Sequence, residues 1–116
     1  MSDKKTITLP LPSRNLSPNA RVHHFVLARH KKAYRRLVAL ECFQQVGILK
    51  IKSFELVYYH KTKRNRDDDN HISMFKSGRD GIADCFNQDD SEFICSGVRF
   101  EIDKDNPRLE IVFTEL

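Results

Sequence analysis

Leu49-Lys50-Ile51-Lys52-Ser53-Phe54-Glu55-Leu56-Val57-Tyr58-Tyr59-His60 is the stretch whose pattern decides the fold. Leu49 and Ile51 alternate with Lys50 and Lys52, and after a slip of phase at Ser53 the alternation resumes through Phe54, Leu56 and Tyr58. A period of two is the signature of a strand with one face turned to a core, and a slip of one residue is the signature of a bulge. Just upstream, Ala33, Tyr34, Leu37, Val38, Leu40 and Phe43 recur mostly at intervals of three and four, which predicts an amphipathic helix over 30–45 with Gly47 as its stop. Downstream, Ile72, Phe75, Ile82 and Phe86 predict a second helix over 69–86, in which Gly78 and Gly81 each cost about 1 kcal/mol relative to alanine.

The ends of the chain add strands. Thr6-Ile7-Thr8-Leu9 alternates until Pro10 and Pro12 stop it, and residues 13–30 are polar and irregular enough to be expected as loop. Val98, Phe100 and Ile102 alternate with Arg99, Glu101 and Asp103; Leu109, Ile111 and Phe113 alternate after the turn residues 103–107. These two strands are expected to form an antiparallel hairpin. The order is therefore β-α-β-α-β-β, an α/β (α+β) class: one compact domain over residues 1–116, a mixed sheet with two helices packed on it.

The whole chain has 116 residues and a formal charge of +4, which leaves no room for a separate cofactor domain. That charge is an average of opposites. Residues 1–66 hold 15 basic and 3 acidic side chains, and residues 67–116 hold 5 basic and 13 acidic ones. Such a split points first to a polyanion as partner. Cys42, Cys85 and Cys95 are odd in number and show no metal-ligand spacing, so free thiols in a reducing compartment are expected. No apolar run approaches the roughly 18 residues of a membrane span, and no signal-peptide pattern opens the chain. A cytoplasmic protein with no membrane partner is the expectation.

The chemistry is concentrated in Arg64-Asn65-Arg66-Asp67-Asp68-Asp69-Asn70 and, about twenty residues later, Asp89-Asp90-Ser91-Glu92. Asp67 and Asp69, if extended, project to one side and can share a hard divalent cation through oxygen; a carboxylate from the 89–90 pair could complete the site. Mg²⁺ suits such a set because it keeps positions for water and phosphate oxygens. Lys76, seven residues after Asp69, would fall on the same face of a continuous helix, roughly 10 Å along its axis, together with Ser73 and Asp80. Carboxylates at a helix start also serve simply to complement its dipole. An EF-hand does not fit, because its sixth and twelfth positions would be Ile72 and Gly78. Of the five histidines only His71, beside the aspartates, draws notice, and the cysteines sit among apolar neighbours that suit buried thiols better than nucleophiles. Arg29, Lys31, Lys32, Arg35 and Arg36 line the start of the first helix, either as a solvated face or as contacts to phosphate.

Taken together, Thr6–Ser13, Lys32-Ala33-Tyr34-Arg35, Arg66-Asp67-Asp68-Asp69-Asn70, Asp89-Asp90-Ser91-Glu92 and Arg108-Leu109-Glu110-Ile111 resemble, in order and over nearly the whole length, the RusA-type Holliday junction resolvases. The resemblance implies that Asp67, Asp69 and Asp90 are catalytic, metal-binding carboxylates and Lys76 the catalytic lysine, with Asn70 and Asp89 as neighbours. Ser73 occupies the position where the family often has its lysine; Lys76 instead keeps the spacing to Asp80. The implied activity is Mg²⁺-dependent cleavage of four-way junctions, with Mn²⁺ as a substitute metal, by a homodimer in DNA recombination and repair, often phage-borne. Lys61, Lys63, Arg64 and Arg66, with Arg29, Lys31 and Lys32, would grip the DNA backbone. Two alternatives share parts of this pattern: a non-catalytic phage or prophage DNA-binding protein, and a metal-dependent nuclease acting on other branched DNA.

Overall fold

The computed structural model describes residues 4–17, 21–62 and 68–116, without the side chains of Arg14 and residues 68–70. Four strands, β1 (Lys4–Leu9), β2 (Ile51–His60), β3 (Ile94–Ile102) and β4 (Arg108–Glu115), form one sheet in the order β1-β4-β2-β3. Three helices, α1 (His24–Val46), α2 (Asp68–Met74) and α3 (Lys76–Phe86), and two 3-10 turns at Arg14–Leu16 and Asp90–Glu92 complete the chain. β4 is antiparallel to both β1 and β2, whereas β3 runs parallel to β2, so the sheet is mixed.

The alternation that identified β2 also builds the core. Phe54, Leu56 and Tyr58 of β2 join Ile7 and Leu9 of β1 and Leu109, Ile111 and Phe113 of β4 on the face that meets the helices. The helices answer with Tyr34, Val38 and Cys42 of α1, spaced four apart, and Ile82 and Phe86 of α3. Burying each such side chain is worth about 1.5–3 kcal/mol. The opposite sheet face is screened by charged chains, among them Arg99 beside Glu55 and Arg108 beside Glu110. The slip at Ser53 is real: the β2–β4 register shifts between Ile51 and Ser53, and the β2–β3 register between Phe54 and Glu55.

Two glutamines tie the helical layer to open strand backbone. Gln45 of α1 donates to the Thr8 carbonyl at 2.8 Å and accepts from its amide at 2.9 Å. Gln88, 5% exposed, does the same for Ile51, accepting at 2.9 Å and donating at 3.1 Å. Each amide group acts as one residue of a missing strand.

The structure corrects four expectations. β3 and β4 are not a hairpin, because β2 lies between them; the 103–107 turn crosses the end of β2, with the Asp103 amide donating to the His60 carbonyl at 2.9 Å. Burial explains the order: β4 buries Leu109, Ile111 and Phe113 completely and takes an inner place, while β3 leaves Ile94 and Ile102 exposed and takes an edge. The first helix begins six residues earlier than its apolar pattern, at His24, where the His23 ring accepts from the Phe25 amide at 3.3 Å. Leu40 and Phe43, counted toward its apolar stripe, are 53% and 58% exposed. Finally, the second helix is broken at Phe75, whose amide is shared between the carbonyls of His71 and Ile72. Gly47 does end α1, at φ 75°, a conformation that costs glycine little.

Candidate functional site

A groove runs along the contact of α1 with α3, and one glycine sets how closely the two helices approach there. A Cβ on Gly81 of α3 would collide with the Arg35 carbonyl oxygen of α1, so the two backbones come together there as only glycine allows. Arg35 then reaches across to Asp84, donating through Nε at 2.6 Å and Nη2 at 2.8 Å, with Asp80 at 4.0 Å. This fork holds the Asp84 carboxyl below the usual carboxylate range. Arg35, considered above as a phosphate contact, is thereby a clasp between helices.

Toward the start of α3 the groove is cationic. A cavity of about 260 Å³ opens between Lys31, Lys32 and Arg35 of α1 and Lys76, Ser77 and Asp80 of α3. A second cavity of about 180 Å³ adjoins it, sharing Lys31, Lys76 and Ser77. Toward the end of α3 a third, of about 460 Å³, shares Arg35 and Asp80 and is bounded by Asp84, Asp89 and Asp90. The lysine and the later aspartates thus border neighbouring cavities along α3 that meet at Arg35 and Asp80.

Arg79 fastens the acidic end. Its Nη2 donates to the carbonyls of Asp90 at 2.9 Å and Phe93 at 2.8 Å, while its guanidinium lies 5.2 Å from the Phe93 ring centroid and 5.7 Å from that of Phe54. Arg79 was not singled out from the sequence, although its position one turn after Lys76 was available as a signal. Within the acidic pair the two residues divide their roles. Asp89 caps the 3-10 turn, accepting from the amide and the hydroxyl of Ser91, and the Ser91 hydroxyl chiefly holds its pKa below the ordinary value. The Asp90 carboxylate is exposed and enters no hydrogen bond or ion pair among the described residues.

The remaining expected residues are distributed unevenly. Lys63, Arg64, Arg66 and Asp67 lie outside the described residues, and Asp69 and Asn70 are helical residues of α2 whose side chains are not described. The break at Phe75 removes the assumption that Asp69 and Lys76 share a face of one continuous helix. Among the described residues no three metal-capable side chains cluster. Arg29, Lys31 and Lys32 are exposed on α1, and Lys61 is exposed just past β2. His71 packs edge-on against Tyr58 and Phe100, with centroids at 4.6 and 4.8 Å, and its carbonyl accepts from the Tyr58 hydroxyl at 3.1 Å. Burial pushes the thiols of Cys42, Cys85 and Cys95 up, which makes each a poorer nucleophile at neutral pH. Among the described residues no helix is long and apolar enough to cross a membrane.

No family model matches the chain. A protein of Xylella fastidiosa strain Temecula1, itself uncharacterized, is 34% identical to it over 96 residues, covering 78% of this chain and 63% of that protein. The chain therefore spans less than two thirds of that relative's length.

Proposed function

We propose that the protein is a Mg²⁺-dependent, structure-selective endodeoxyribonuclease that resolves four-way DNA junctions in recombination and repair. The observation that carries the reading is the row of cavities along α3, which has Lys31, Lys32 and Lys76 at one end and Asp90 at the other. A nuclease needs both: cations for the phosphodiester backbone and carboxylates for a hard metal.

In this reading Asp67, Asp69 and Asp90 would hold Mg²⁺, with Mn²⁺ as a substitute. The fit at Asp90 rests on its exposed carboxylate, which no described donor occupies, in contrast to the capping Asp89. Bound there, a divalent ion would polarise the phosphate and lower the pKa of an attacking water. Arg79 holds the turn that bears Asp90 through two carbonyls, limiting how far that carboxylate can wander. Lys76, at the first position of α3, donates to a phosphate oxygen and offsets charge that develops on it. Lys31 and Lys32 hold the strand beside it, and Lys61, Lys63, Arg64 and Arg66 extend the grip. A homodimer with two-fold symmetry would set two such sites against a pseudo-symmetric junction and nick opposed strands in pairs. A reducing, cytoplasmic setting accords with three free thiols.

Replacing one metal carboxylate by its amide tests the assignment. Asp69→Asn should bind four-way junction DNA within about twofold of the unmodified protein, yet cut it at least about a hundredfold more slowly, the scale on which metal-site substitutions act. Cutting at the normal rate would remove Asp69, and with it the proposed metal site.

A further inference from the structure

Ser77 is 8% exposed, and its hydroxyl is buried without a hydrogen-bond partner among the described residues. No described group compensates its desolvation. Yet Ser77 does not lie in the closed core: the residue lines two of the three cavities of the groove. It belongs to the first turn of an 11-residue helix in which Phe75 offers no capping side chain and no carboxylate occupies that turn. The amides at such a helix start carry partial positive charge and here meet no capping anion of the protein. Lys31, Lys32 and Lys76 border the same space, and none of them pairs with a carboxylate among the described residues. Asp80 also borders it, but its carboxylate lies 4.0 Å from the Arg35 guanidinium, one helical turn further along.

We infer that the first turn of α3 is a seat for a phosphate group, in which the Ser77 hydroxyl donates to one oxygen while Lys31, Lys32 and the helix start neutralise the charge. The seat stands on this geometry alone. That its natural occupant is a backbone phosphodiester of DNA, adjacent to the one that is cut, rests on the proposed function. A serine hydroxyl is a neutral donor, so the seat would tolerate the esterified phosphates of a chain without demanding a terminal one. The buried hydroxyl is then a group that costs the free protein stability and is satisfied only in the complex.

Ser77→Ala separates these effects. In thermal unfolding at matched ionic strength with sodium chloride as control, inorganic phosphate should raise the Tm of the unmodified protein in a saturable way and fail to raise that of Ser77→Ala. Without phosphate the variant should melt at the same temperature or higher, because it loses only an unpaired hydroxyl. In EDTA, where no cutting occurs, Ser77→Ala should bind four-way junction DNA about tenfold more weakly. The surface variant Lys31→Ala/Lys32→Ala should bind it more weakly too, with a salt slope reduced by up to about two. A phosphate-induced rise that is equal in Ser77→Ala, or a lower Tm for that variant without phosphate, would overturn the inference. If phosphate binding depends on Ser77 but no DNA binds, the seat stands and the nuclease reading falls. If Ser77→Ala binds and cuts junctions normally, the nuclease reading stands and a DNA phosphodiester as the occupant of the seat falls.

Discussion

On the open face of the sheet, Arg108 donates to Asp103 at 2.7 Å, to Glu110 at 2.8 Å and to the Asn106 carbonyl at 2.9 Å, and its guanidinium lies 3.8 Å from the centroid of the Tyr59 ring. At the first turn of α3, Lys31, Lys32 and Lys76 surround a cavity with a buried hydroxyl and have no such partners among the described residues. Both places are polar and both present cationic side chains. One has its donors matched within the chain, and the other leaves them unmatched among the described residues. The presence of a cationic side chain does not separate these two places, whereas the state of its hydrogen-bond donors does.

The largest effect that could break this contrast is mechanical. Gly81→Ala should destabilise the protein by about 1–3 kcal/mol in chemical denaturation, because the added methyl meets the Arg35 carbonyl and spreads the walls of the groove. Junction binding should weaken with it, while the Arg108 corner, on the other face of the sheet, stays intact. A gain of about 1 kcal/mol, as helix propensity alone would give, would show that the crossing is not tight.

A smaller effect sharpens the other half of the contrast. Arg108 holds the Asp103 carboxyl below its ordinary pKa, chiefly through their hydrogen bond. The folded state therefore binds a proton there less readily than the unfolded chain. The stability this contributes is fully present above the ordinary carboxylate pKa of about 4 and is lost as pH falls through the lowered value. Arg108→Ala should flatten that acid limb of a Tm-against-pH curve and leave DNA binding unchanged. An unchanged acid limb, or weakened DNA binding, would place the two corners in the same functional class.

How much of this was legible in the sequence depends on whether the information is local. The strand over 51–60 and its bulge could be read because side-chain alternation is written residue by residue. The place of β4 inside the sheet could not, since turn residues between two strands look the same whether the chain folds back directly or steps across a third. The early start of α1 was hidden because the residues added before the apolar stripe lie outside its periodicity. At the site, the sequence drew attention to Lys76 and to the Asp89–Asp90 pair, with Asp90 preferred through the resemblance; the Ser91 cap that engages Asp89 is a difference between the two that only the fold displays. Ser77 was invisible: between a lysine and a glycine it carries no pattern, and only burial reveals that its hydroxyl is unmatched. Gly78 and Gly81, which argue against a helix by propensity, lie in α3 because their missing side chains leave room for Phe75 and for α1.

The central claim is metal-dependent cutting of branched DNA, and one measurement addresses it most directly. The purified protein is incubated with end-labelled four-way junction, fork and linear duplex DNA of equal length, with Mg²⁺ and with EDTA. Paired nicks in opposed strands of the four-way junction, little cutting of fork or duplex, and binding without cutting in EDTA are the expected result. Cutting that persists in EDTA, equal cutting of all three substrates, or junction binding with no cleavage in Mg²⁺ would contradict it.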